Sequence, residues 1–508
     1  MTRITSLIAC ACTALALAGG AQGGLSVGVS EDRGKQTDAA AFFATLTDVG
    51  LSENRASVIW DPSQPTTIPD EASIAAWMPA AQAAGTRIVF AVTAKDARAF
   101  STSPAAVSQF AAFVQHLAQT FPQVKNYVIG NEPNQPLFWL PQFTPSGKPV
   151  SAAAYEPLLA QSYDALKQVD PTINVIGIGL SPRGNDNPKA HDNVSRSPVR
   201  FLHDLGVAYR ASGRTKPLMD ELAFHPYPRL NTDPPSVGYA WPNAGLSNLD
   251  RIKQAVWDAF HGTAQSTFTE TGSHRFASQP PLTFDLDEIG WQVGIPPTLA
   301  NLYLGAESSP TIDEATQSLY YADTITSAEC DPTIRSLSFF LLWDEADLKH
   351  WQSGLERLDG SHRPSYNTVK QTIAQTHGNC VGDRVTWAHT NQVVSPLVTW
   401  GGLDHVPARR TRWSFVAGAG EEVLFRAGIF KAGTSSRVIA RRLLTGWPKP
   451  VLAAAGTIAA QTRVVYFPAR RLKRGRYVFA IRMQATMNPA RVSMLVSPKL
   501  AVGRTSRR

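Results

Sequence analysis

Residues 25–380 alternate between short apolar runs and longer stretches with the apolar spacing of amphipathic helices. The apolar runs are rich in Val, Ile, Leu and Phe with little polar alternation, which is typical of parallel strands buried on both faces. These runs are Ser26–Ser30, Ala56–Trp60, Arg87–Thr93, Tyr127–Gly130, Asn174–Leu180, Met219–Phe224, Leu282–Leu286 and Leu337–Trp343. The helical stretches between them include Ser73–Ala84, Pro104–Thr120, Ala154–Val169, Pro198–Ser212, Asn248–His261 and Asp313–Ser327. Eightfold strand–helix alternation predicts a (β/α)8 TIM barrel of the α/β class.

From Val381 the pattern changes to short alternating strands separated by Gly and Pro, without helical periodicity. Examples are Thr411–Val416, Val423–Phe430, Thr462–Phe467, Arg476–Met483 and Arg491–Val496. Short strands of this kind are typical of antiparallel sheets. Residues 381–508 are therefore predicted to form a small all-β sandwich that follows the barrel.

The first residues have the pattern of an export signal. Arg3 is followed by the apolar run Leu7–Ala18 and by the small residues Gly19, Gly20 and Ala21, which together predict a signal peptide over residues 1–21. The apolar run is too short to span a bilayer, and no later segment approaches the required length. The barrel domain would then occupy residues 22–380, in a protein that is secreted or associated with the cell envelope.

Cysteine usage agrees with export. Cys10 and Cys12 lie within the predicted signal, which leaves Cys330 and Cys380 in the mature chain. Two cysteines in an exported protein favour a disulfide. The alternative is a pair of buried free thiols.

Charge is divided unevenly along the chain. Residues 381–508 contain 22 Lys and Arg but 4 Asp and Glu, a net charge of +18, whereas the remaining residues contain 26 and 36 and carry −10. This change supports a domain boundary near Cys380. It also indicates an anionic partner for the C-terminal domain, such as an envelope polymer or surface, or else a solvated basic face with no partner. One basic cluster falls at a probable turn and consists of Arg470, Arg471, Lys473, Arg474 and Arg476.

Unusual polar residues follow the predicted barrel strands. Glu132 comes after the fourth run and Glu288 after the seventh. TIM barrels carry their chemistry at the C-terminal ends of the strands, and these two strands lie nearly opposite each other across the barrel. Hydrolysis of a glycosidic bond needs one carboxylic acid that protonates the leaving oxygen and a second carboxylate at the reacting carbon. The sequence therefore predicts that Glu132 and Glu288 converge on a glycan.

At these residues the chain resembles a known clan. Asn131-Glu132-Pro133 after strand four, together with Glu288-Ile289-Gly290-Trp291 after strand seven, is similar to the retaining glycosidases with a (β/α)8 barrel, in particular the cellulase-like and β-xylosidase-like families. The resemblance covers residues 25–380. It implies that Glu132 is the acid/base, that Glu288 is the nucleophile, and that a β-linked glycan is cleaved through a covalent glycosyl-enzyme.

The same resemblance implies roles for neighbouring side chains. Asn131 would hydrogen-bond the sugar 2-hydroxyl, and His225 and Tyr227 resemble a His-x-Tyr segment whose tyrosine orients the nucleophile. Trp343 resembles a strand-eight tryptophan that forms the floor of the subsite for the reacting sugar.

One feature departs from the pattern, because Arg55 precedes the second apolar run instead of ending it. The role of an arginine beside the nucleophile is thus open, and Asp61 or Trp60 could line the site instead. Trp60 and Trp291 are expected to contact substrate, and stacking on sugars is also considered for Trp139, Tyr239 and Trp241.

Other chemistries lack their motifs. The sequence contains no Cys or His pair with zinc spacing, no Walker-type phosphate loop and no recognisable nucleic-acid motif. No cofactor, metal or nucleic-acid partner is therefore expected, and the partner is a carbohydrate substrate. Two alternatives to hydrolysis stay open: a transglycosylase that uses the same carboxylates, and a non-catalytic carbohydrate-binding protein on a barrel scaffold. The acid/base assignment requires a protonated Glu132 and an ionised Glu288, and it predicts a bell-shaped pH–rate profile.

Overall fold

A computed structural model describes residues 24–36, 38–272, 280–391, 397–399, 405–407, 414–445, 450–459, 462–467 and 472–503. The predicted signal peptide and Arg470 and Arg471 of the basic cluster lie outside these residues. Within them, no helix has the length and apolar character needed to cross a membrane.

The first domain is the predicted TIM barrel. Its eight parallel strands close into a ring, with each strand paired to the next and the eighth paired to the first. The strands are β1 (Ser26–Ser30), β2 (Glu53–Trp60), β3 (Arg87–Ala94), β4 (Asn126–Ile129), β5 (Asn174–Leu180), β6 (Glu221–Phe224), β7 (Thr283–Ile289) and β8 (Ile334–Phe339). The helices around them are α1 (Ala39–Val49), α2 (Glu71–Ala84), α3 (Ala99–Thr102), α4 (Ala106–Thr120), α5 (Ser151–Val169), α6 (Pro198–Ser212), α7 (Leu249–Phe260), α8 (Glu314–Glu329) and α9 (Pro364–Thr376). Each predicted apolar run thus overlaps a barrel strand.

Local chemistry fixes the helix ends. At the start of α1, the Asp38 carboxylate accepts hydrogen bonds from the backbone amides of Ala40 and Ala41, which have no partner inside the helix. At its end, Gly50 adopts a left-handed conformation with φ of 87°, which glycine takes at low cost. Between these caps, Phe42, Phe43 and other apolar residues of α1 pack onto the barrel.

Strand β2 begins earlier than the sequence pattern predicts. It includes the polar residues Glu53, Asn54 and Arg55, all of which are buried. A search for apolar runs misses these residues because they are polar. Glu53 and Arg55 are buried together with the charged partners of their ion pairs. Arg55 is therefore an inward-facing residue of the strand, not part of the loop that precedes it.

The inside of the barrel is layered. An apolar cluster of Val89, Ala91, Val128, Ile176 and Ala223 lies between two groups of charged side chains. The group near the N-terminal ends of the strands, here called the lower charge cluster, consists of Arg87, Glu53, Glu221 and Asp285. Arg87 hydrogen-bonds Glu53 and lies 3.5 Å from Glu221 and 3.7 Å from Asp285.

The C-terminal domain consists mainly of two sheets. One has the strand order β10-β17-β15-β12-β13, with β16 paired to β15, and the other has the order β14-β11-β9. Their strands are β9 (Leu397–Thr399), β10 (His405–Pro407), β11 (Ser414–Gly418), β12 (Val423–Lys431), β13 (Leu452–Ile458), β14 (Thr462–Tyr466), β15 (Gly475–Ala485), β16 (Val492–Val496) and β17 (Leu500–Gly503). Phe415 of one sheet contacts Phe425 and Phe479 of the other, so a shared aromatic core joins them, as predicted for a small β domain.

One expectation for this domain is wrong, because it contains the helix α10 (Ser436–Thr445). Ile439 and Leu443 are buried against β12 and β15. Only these two buried apolar positions mark the helix, and its arginine-rich exposed face hides the periodicity.

The junction between the domains has a disulfide on its barrel side and an ion pair across it. The predicted disulfide between Cys330 and Cys380 is present. Beyond it, residues 381–391 still pack on the barrel, since Trp387 belongs to the barrel core. Arg491 of the C-terminal domain then pairs with Asp258 of α7 at 2.8 Å and with Glu421 at 2.7 Å.

Candidate active site

The chain after β4 holds Glu132 in a constrained conformation. Glu132 has a φ of 38°, a left-handed conformation that is uncommon outside glycine. Its amide donates a hydrogen bond of 2.7 Å to the carbonyl of Gly179. The buried side chain of Asn134 joins the same turn to the loop after β5, since it accepts from the Ser181 amide and donates to the Ser181 carbonyl. The Glu132 carboxylate is thereby fixed at the C-terminal end of the barrel.

Glu288 enters the same region through an irregularity in β7. Strand alternation directs Asp285 and Asp287 to the barrel interior, and the register with β8 shifts between Leu286 and Ile289. This shift lets both Asp287 and the following Glu288 contact interior side chains. Asp287 is completely buried, whereas the Glu288 side chain keeps 12% of its surface exposed. Glu288 is therefore the carboxylate of β7 that a ligand can reach.

His225, directly after β6, contacts both glutamates. Its Nδ1 lies 3.0 Å from Glu132 Oε1 and 3.5 Å from Glu288 Oε2, and its Nε2 lies 3.2 Å from Asp287 Oδ1. Because both glutamate oxygens lie this close to one nitrogen, they are at most about 6.5 Å apart. Carboxyl groups are about 5–5.5 Å apart in retaining glycosidases and about 6.5–9.5 Å apart in inverting ones. The separation here does not exceed the lower limit of the inverting range.

Arg55 joins three members of the site from below. It contacts Glu288 Oε1 with Nη1 at 2.9 Å and Asp287 Oδ2 with Nε at 2.8 Å, and its Nη2 donates to Asn131 Oδ1 at 2.8 Å. The arginine that sequence reasoning left open thus lies beside Glu288, while the side chain of Asp61 pairs with Lys95 instead. We refer to Arg55, His225, Asp287, Glu288 and Glu132 as the upper charge cluster.

Electrostatics inside this cluster favour particular protonation states. Burial lowers the pKa of His225, but the charges of Glu288 and Asp287 outweigh burial and raise it to about 10, so the imidazole is cationic. Burial raises the pKa of Asp287, but His225 and Arg55 together hold it below its ordinary value. Burial also raises the pKa of Glu288, and here the same two cations only partly oppose the effect. Ionisation of Glu288 therefore depends on Arg55 and His225.

Two further side chains complete the surroundings of the glutamates. The Tyr227 hydroxyl donates to Glu288 Oε2 at 3.1 Å, and burial next to Glu288 raises the pKa of Tyr227 well above its ordinary value, so that it remains a donor. The side-chain oxygen of Asn131 accepts a hydrogen bond from Arg55. The Asn131 amide nitrogen has no acceptor among the described residues and is available to a ligand.

A cavity of about 440 Å³ opens above Glu132 and Tyr227, and Glu288 is not among the residues that line it. Glu132, Tyr227, Trp351 and residues of the loops after β5, β6, β7 and β8 line it. Trp351 stacks on Tyr227 with ring centroids 4.8 Å apart and gives the cavity an aromatic wall. Sugar rings bind to surfaces of this kind through their apolar faces.

The predicted tryptophan contacts require correction. Trp60 and Trp291 are fully buried and cannot touch a ligand, because Trp60 packs on Phe100 and the indole of Trp291 donates to the Asp233 carbonyl. Trp343 does not line the cavity, since its ring packs against other residues near the start of the chain. Trp351 is a tryptophan that does line the cavity. The apolar pattern could not indicate it, because it lies in a loop.

The other aromatic candidates also lie elsewhere. Trp139 is buried against Phe100, and Trp241 lines a different cavity near the C-terminal domain. Tyr239 is buried and donates to the backbone carbonyls of Tyr227 and Pro228, so it supports the turn that carries Tyr227.

No group of three or more His, Cys, Asp or Glu side chains within the described part of the chain could hold a metal ion.

Similarity of this chain to known proteins is found among solved structures. No family model and no curated protein matches the sequence. Among solved structures, the chain is similar to a family 39 glycoside hydrolase from the gut symbiont Bacteroides cellulosilyticus WH2, with 16% identity, coverage of 88% of this chain and 81% of that one, and a TM-score of 0.49. It is also similar to a monomeric beta-xylosidase from Caulobacter crescentus CB15, with 14% identity, coverage of 91% and 96%, and a TM-score of 0.43. At such identities and scores the likenesses assign neither a family nor a role to any residue.

Proposed function

We propose that this protein is a retaining glycoside hydrolase that cleaves a β-linked poly- or oligosaccharide. The observation that carries the proposal is the contact of one His225 nitrogen with both Glu132 and Glu288. This contact keeps oxygens of the two carboxylates within about 6.5 Å of each other at the end of the barrel where chemistry is expected, which supports double displacement. The aromatic wall of Trp351 supports a sugar as the ligand.

In the first step, Glu288 Oε2 or Oε1 attacks the anomeric carbon, and the bond from that carbon to the leaving oxygen breaks. Glu132 gives its proton to the leaving oxygen, so the aglycone departs as an alcohol. Arg55, His225 and Tyr227 favour the ionised form of Glu288 before attack. Once the ester has formed, Glu288 is neutral and Asp287 remains as the counter-ion of the two cations.

In the second step, water attacks the same carbon and the ester bond to Glu288 breaks. Glu132 takes the proton from water, which returns both carboxyl groups to their starting states. The amide nitrogen of Asn131 is placed to donate to a sugar hydroxyl near Glu288. A sugar acceptor in place of water would give transglycosylation with the same groups.

The proposal can be tested by trapping the intermediate. Incubation with activated 2-deoxy-2-fluoro aryl β-glycosides of several sugars should add one glycosyl group, and peptide mass spectrometry should locate it on Glu288. The control is Asp285→Asn, which changes a carboxylate of the same strand that lies outside the upper charge cluster. Label on another residue, or turnover by Glu288→Gln at the wild-type rate, would refute the assignment.

The role of Glu132 has a separate test. In Glu132→Gln, hydrolysis of substrates with poor leaving groups should fall by about 10²–10⁴-fold, whereas substrates that need no protonation should still form the intermediate. Added azide should then restore turnover and yield a β-glycosyl azide. An azide product with inverted configuration would favour another acid. A pH–rate profile of Glu132→Gln that keeps its basic limb would do the same. Glycan binding without any turnover would indicate a non-catalytic barrel.

Location and attachment follow as secondary proposals. The signal-like N-terminus supports export, and the +18 charge of residues 381–508 supports attraction to an anionic envelope polymer or surface. Cell fractionation, and retention on anionic matrices with and without residues 381–508, would test these points.

A further inference from the structure

Cationic side chains from separate loops line the cavity above Glu132 and Tyr227. Arg183 follows β5, Arg229 follows β6, and Lys349 follows β8 together with His350. Glu132 is the one carboxylate among the residues that line this cavity. The ligand would therefore meet several positive groups around a single acid.

Of the three cations Arg183, Arg229 and Lys349, two lack an internal counter-ion. Arg229 lies 3.0 Å from Asp233. Arg183 and Lys349, by contrast, are exposed and form no ion pair with any described carboxylate. Their charge is available to a ligand.

The concentration of cations is unusual for this part of the molecule. Residues 1–380 carry a net charge of −10, and many exposed cations of the barrel are paired, for example Lys95 with Asp61 and Lys125 with Asp170, both at 2.7 Å. A positive cavity on an acidic domain focuses the field at its mouth and raises the local concentration of anions. The guanidinium groups of Arg183 and Arg229 also match the planar geometry of carboxylate and sulfate groups.

We propose that the substrate carries anionic sugar residues, carboxylated or sulfated, and that Arg183, Arg229 and Lys349 bind their acidic groups in this cavity. The inference rests on the proposed glycosidase function and narrows its substrate class. The aromatic wall of Tyr227 and Trp351 would contact the sugar ring while the cations contact its acidic substituent. Because Glu132 lies in the same cavity, the anionic residue would be adjacent to the bond that is cleaved.

The test is equilibrium binding by the inactive Glu288→Gln protein, measured by calorimetry. The probes are size-matched neutral, uronate-containing and sulfated β-linked oligosaccharides. Anionic probes should bind at least about 10-fold more tightly than the neutral probe, and added salt should reduce this preference. The relative affinities of the uronate and sulfated probes identify which acidic group the cavity prefers.

Charge removal identifies the residues responsible. The combined substitutions Arg183→Gln, Arg229→Gln and Lys349→Gln in the Glu288→Gln background should weaken anionic binding by about 30-fold and leave neutral binding unchanged. Lys189→Gln, an exposed lysine of the same loop as Arg183 that does not line the cavity, is the matched control and should have no effect.

Several results would overturn the inference. These are equal or absent binding of the anionic probes, or an unchanged preference in the triple variant. Failure here is distinguishable from failure of the proposed function, because trapping at Glu288 with neutral activated glycosides tests the chemistry independently of substrate charge.

Discussion

Both charge clusters of the barrel are largely buried. They differ in how far their carboxylates are exposed and in the charges that surround each carboxylate. In the upper charge cluster, Glu132 and Glu288 keep 16% and 12% of their side-chain surface exposed. In the lower charge cluster, the side chains of Glu53 and Asp285 are completely buried. A depression at the lower end reaches other members of that cluster but neither of these two. Burial of charge alone therefore does not mark a site, whereas access to a converging pair of carboxylates does.

Asp285 and Asp287 show the difference in balance on a single strand. Asp287 lies 2.8 Å from Arg55 and 3.2 Å from His225, which hold its pKa low despite burial. Asp285 lies 3.7 Å from Arg87, which Glu53 and Glu221 share. Burial and the charge of Glu53 raise the pKa of Asp285 well above its ordinary value. The cations of the upper cluster thus favour the ionised form of Asp287, whereas the charge balance of the lower cluster favours the protonated form of Asp285.

Substitution of the two central arginines should separate stability from catalysis. Arg55→Met and Arg87→Met each leave buried carboxylates without their cation, so each should lower the free energy of unfolding by about 3–5 kcal/mol. Only Arg55→Met should also reduce kcat/KM, by about 100-fold at pH 5, because Glu288 then resists ionisation. Urea unfolding and rates per folded molecule measure the two effects.

The pH profile distinguishes this mechanism from simple misfolding. In Arg55→Met the acid limb of kcat/KM should move to higher pH, because a cation that favours ionised Glu288 is lost. In Arg87→Met the limb should not move. An equal shift in both variants would mean that the two clusters are coupled and that the comparison fails.

The two aspartates should give opposite pH slopes of stability. The native-state pKa of Asp285 is raised, so its contribution favours the folded protein at low pH and is lost as the pH rises above the ordinary aspartate value of 3.8. The pKa of Asp287 is lowered, so its contribution is present above that value and is lost as the pH falls through the native pKa. Asp285→Asn should therefore stabilise the protein by about 1 kcal/mol at pH 7, while Asp287→Asn should destabilise it by about 2–3 kcal/mol.

Unfolding midpoints at pH 5 and pH 8 provide the measurement. The advantage of Asp285→Asn over the wild type should grow with pH. Destabilisation by Asp285→Asn at pH 8 would show that Asp285 is ionised in the folded protein, contrary to the balance described above.

The sequence predicts the barrel well because buried parallel strands have a distinctive composition. The eight apolar runs follow from composition and spacing alone, and so do the positions of Glu132 after β4 and of Glu288 near the end of β7. The start of β2 does not, because Glu53 and Arg55 are buried through partners that are distant in sequence. Helix α10 is missed for a related reason, since only Ile439 and Leu443 are apolar and buried.

The candidate site is predictable only in part. Glu132, His225 and Tyr227 are recognisable because each follows a strand end, and Glu288 because it follows the seventh apolar run, although it lies within β7. Asp287 acquires its role from the register shift in β7, and no local pattern encodes that shift. The sequence does not show which tryptophans line the cavity, because the burial of an indole ring depends on neighbouring helices. Trp60 and Trp291 are core residues, and the loop residue Trp351 lines the cavity.

The smallest expected effect concerns a single hydroxyl in each of two tyrosines. Tyr227→Phe removes the donor to Glu288 Oε2, and a hydrogen bond to a charged group contributes about 1.5 kcal/mol. The kcat/KM should therefore fall by about 10-fold, with the acid limb displaced slightly to higher pH. Tyr127→Phe, in β4, is the matched control, since the buried Tyr127 hydroxyl has no hydrogen-bond partner among the described residues. That variant should keep full activity and equal or greater stability. If the two substitutions reduced activity equally, the Tyr227 hydroxyl would contribute only to packing, and ionisation of Glu288 would rest on Arg55 and His225 alone.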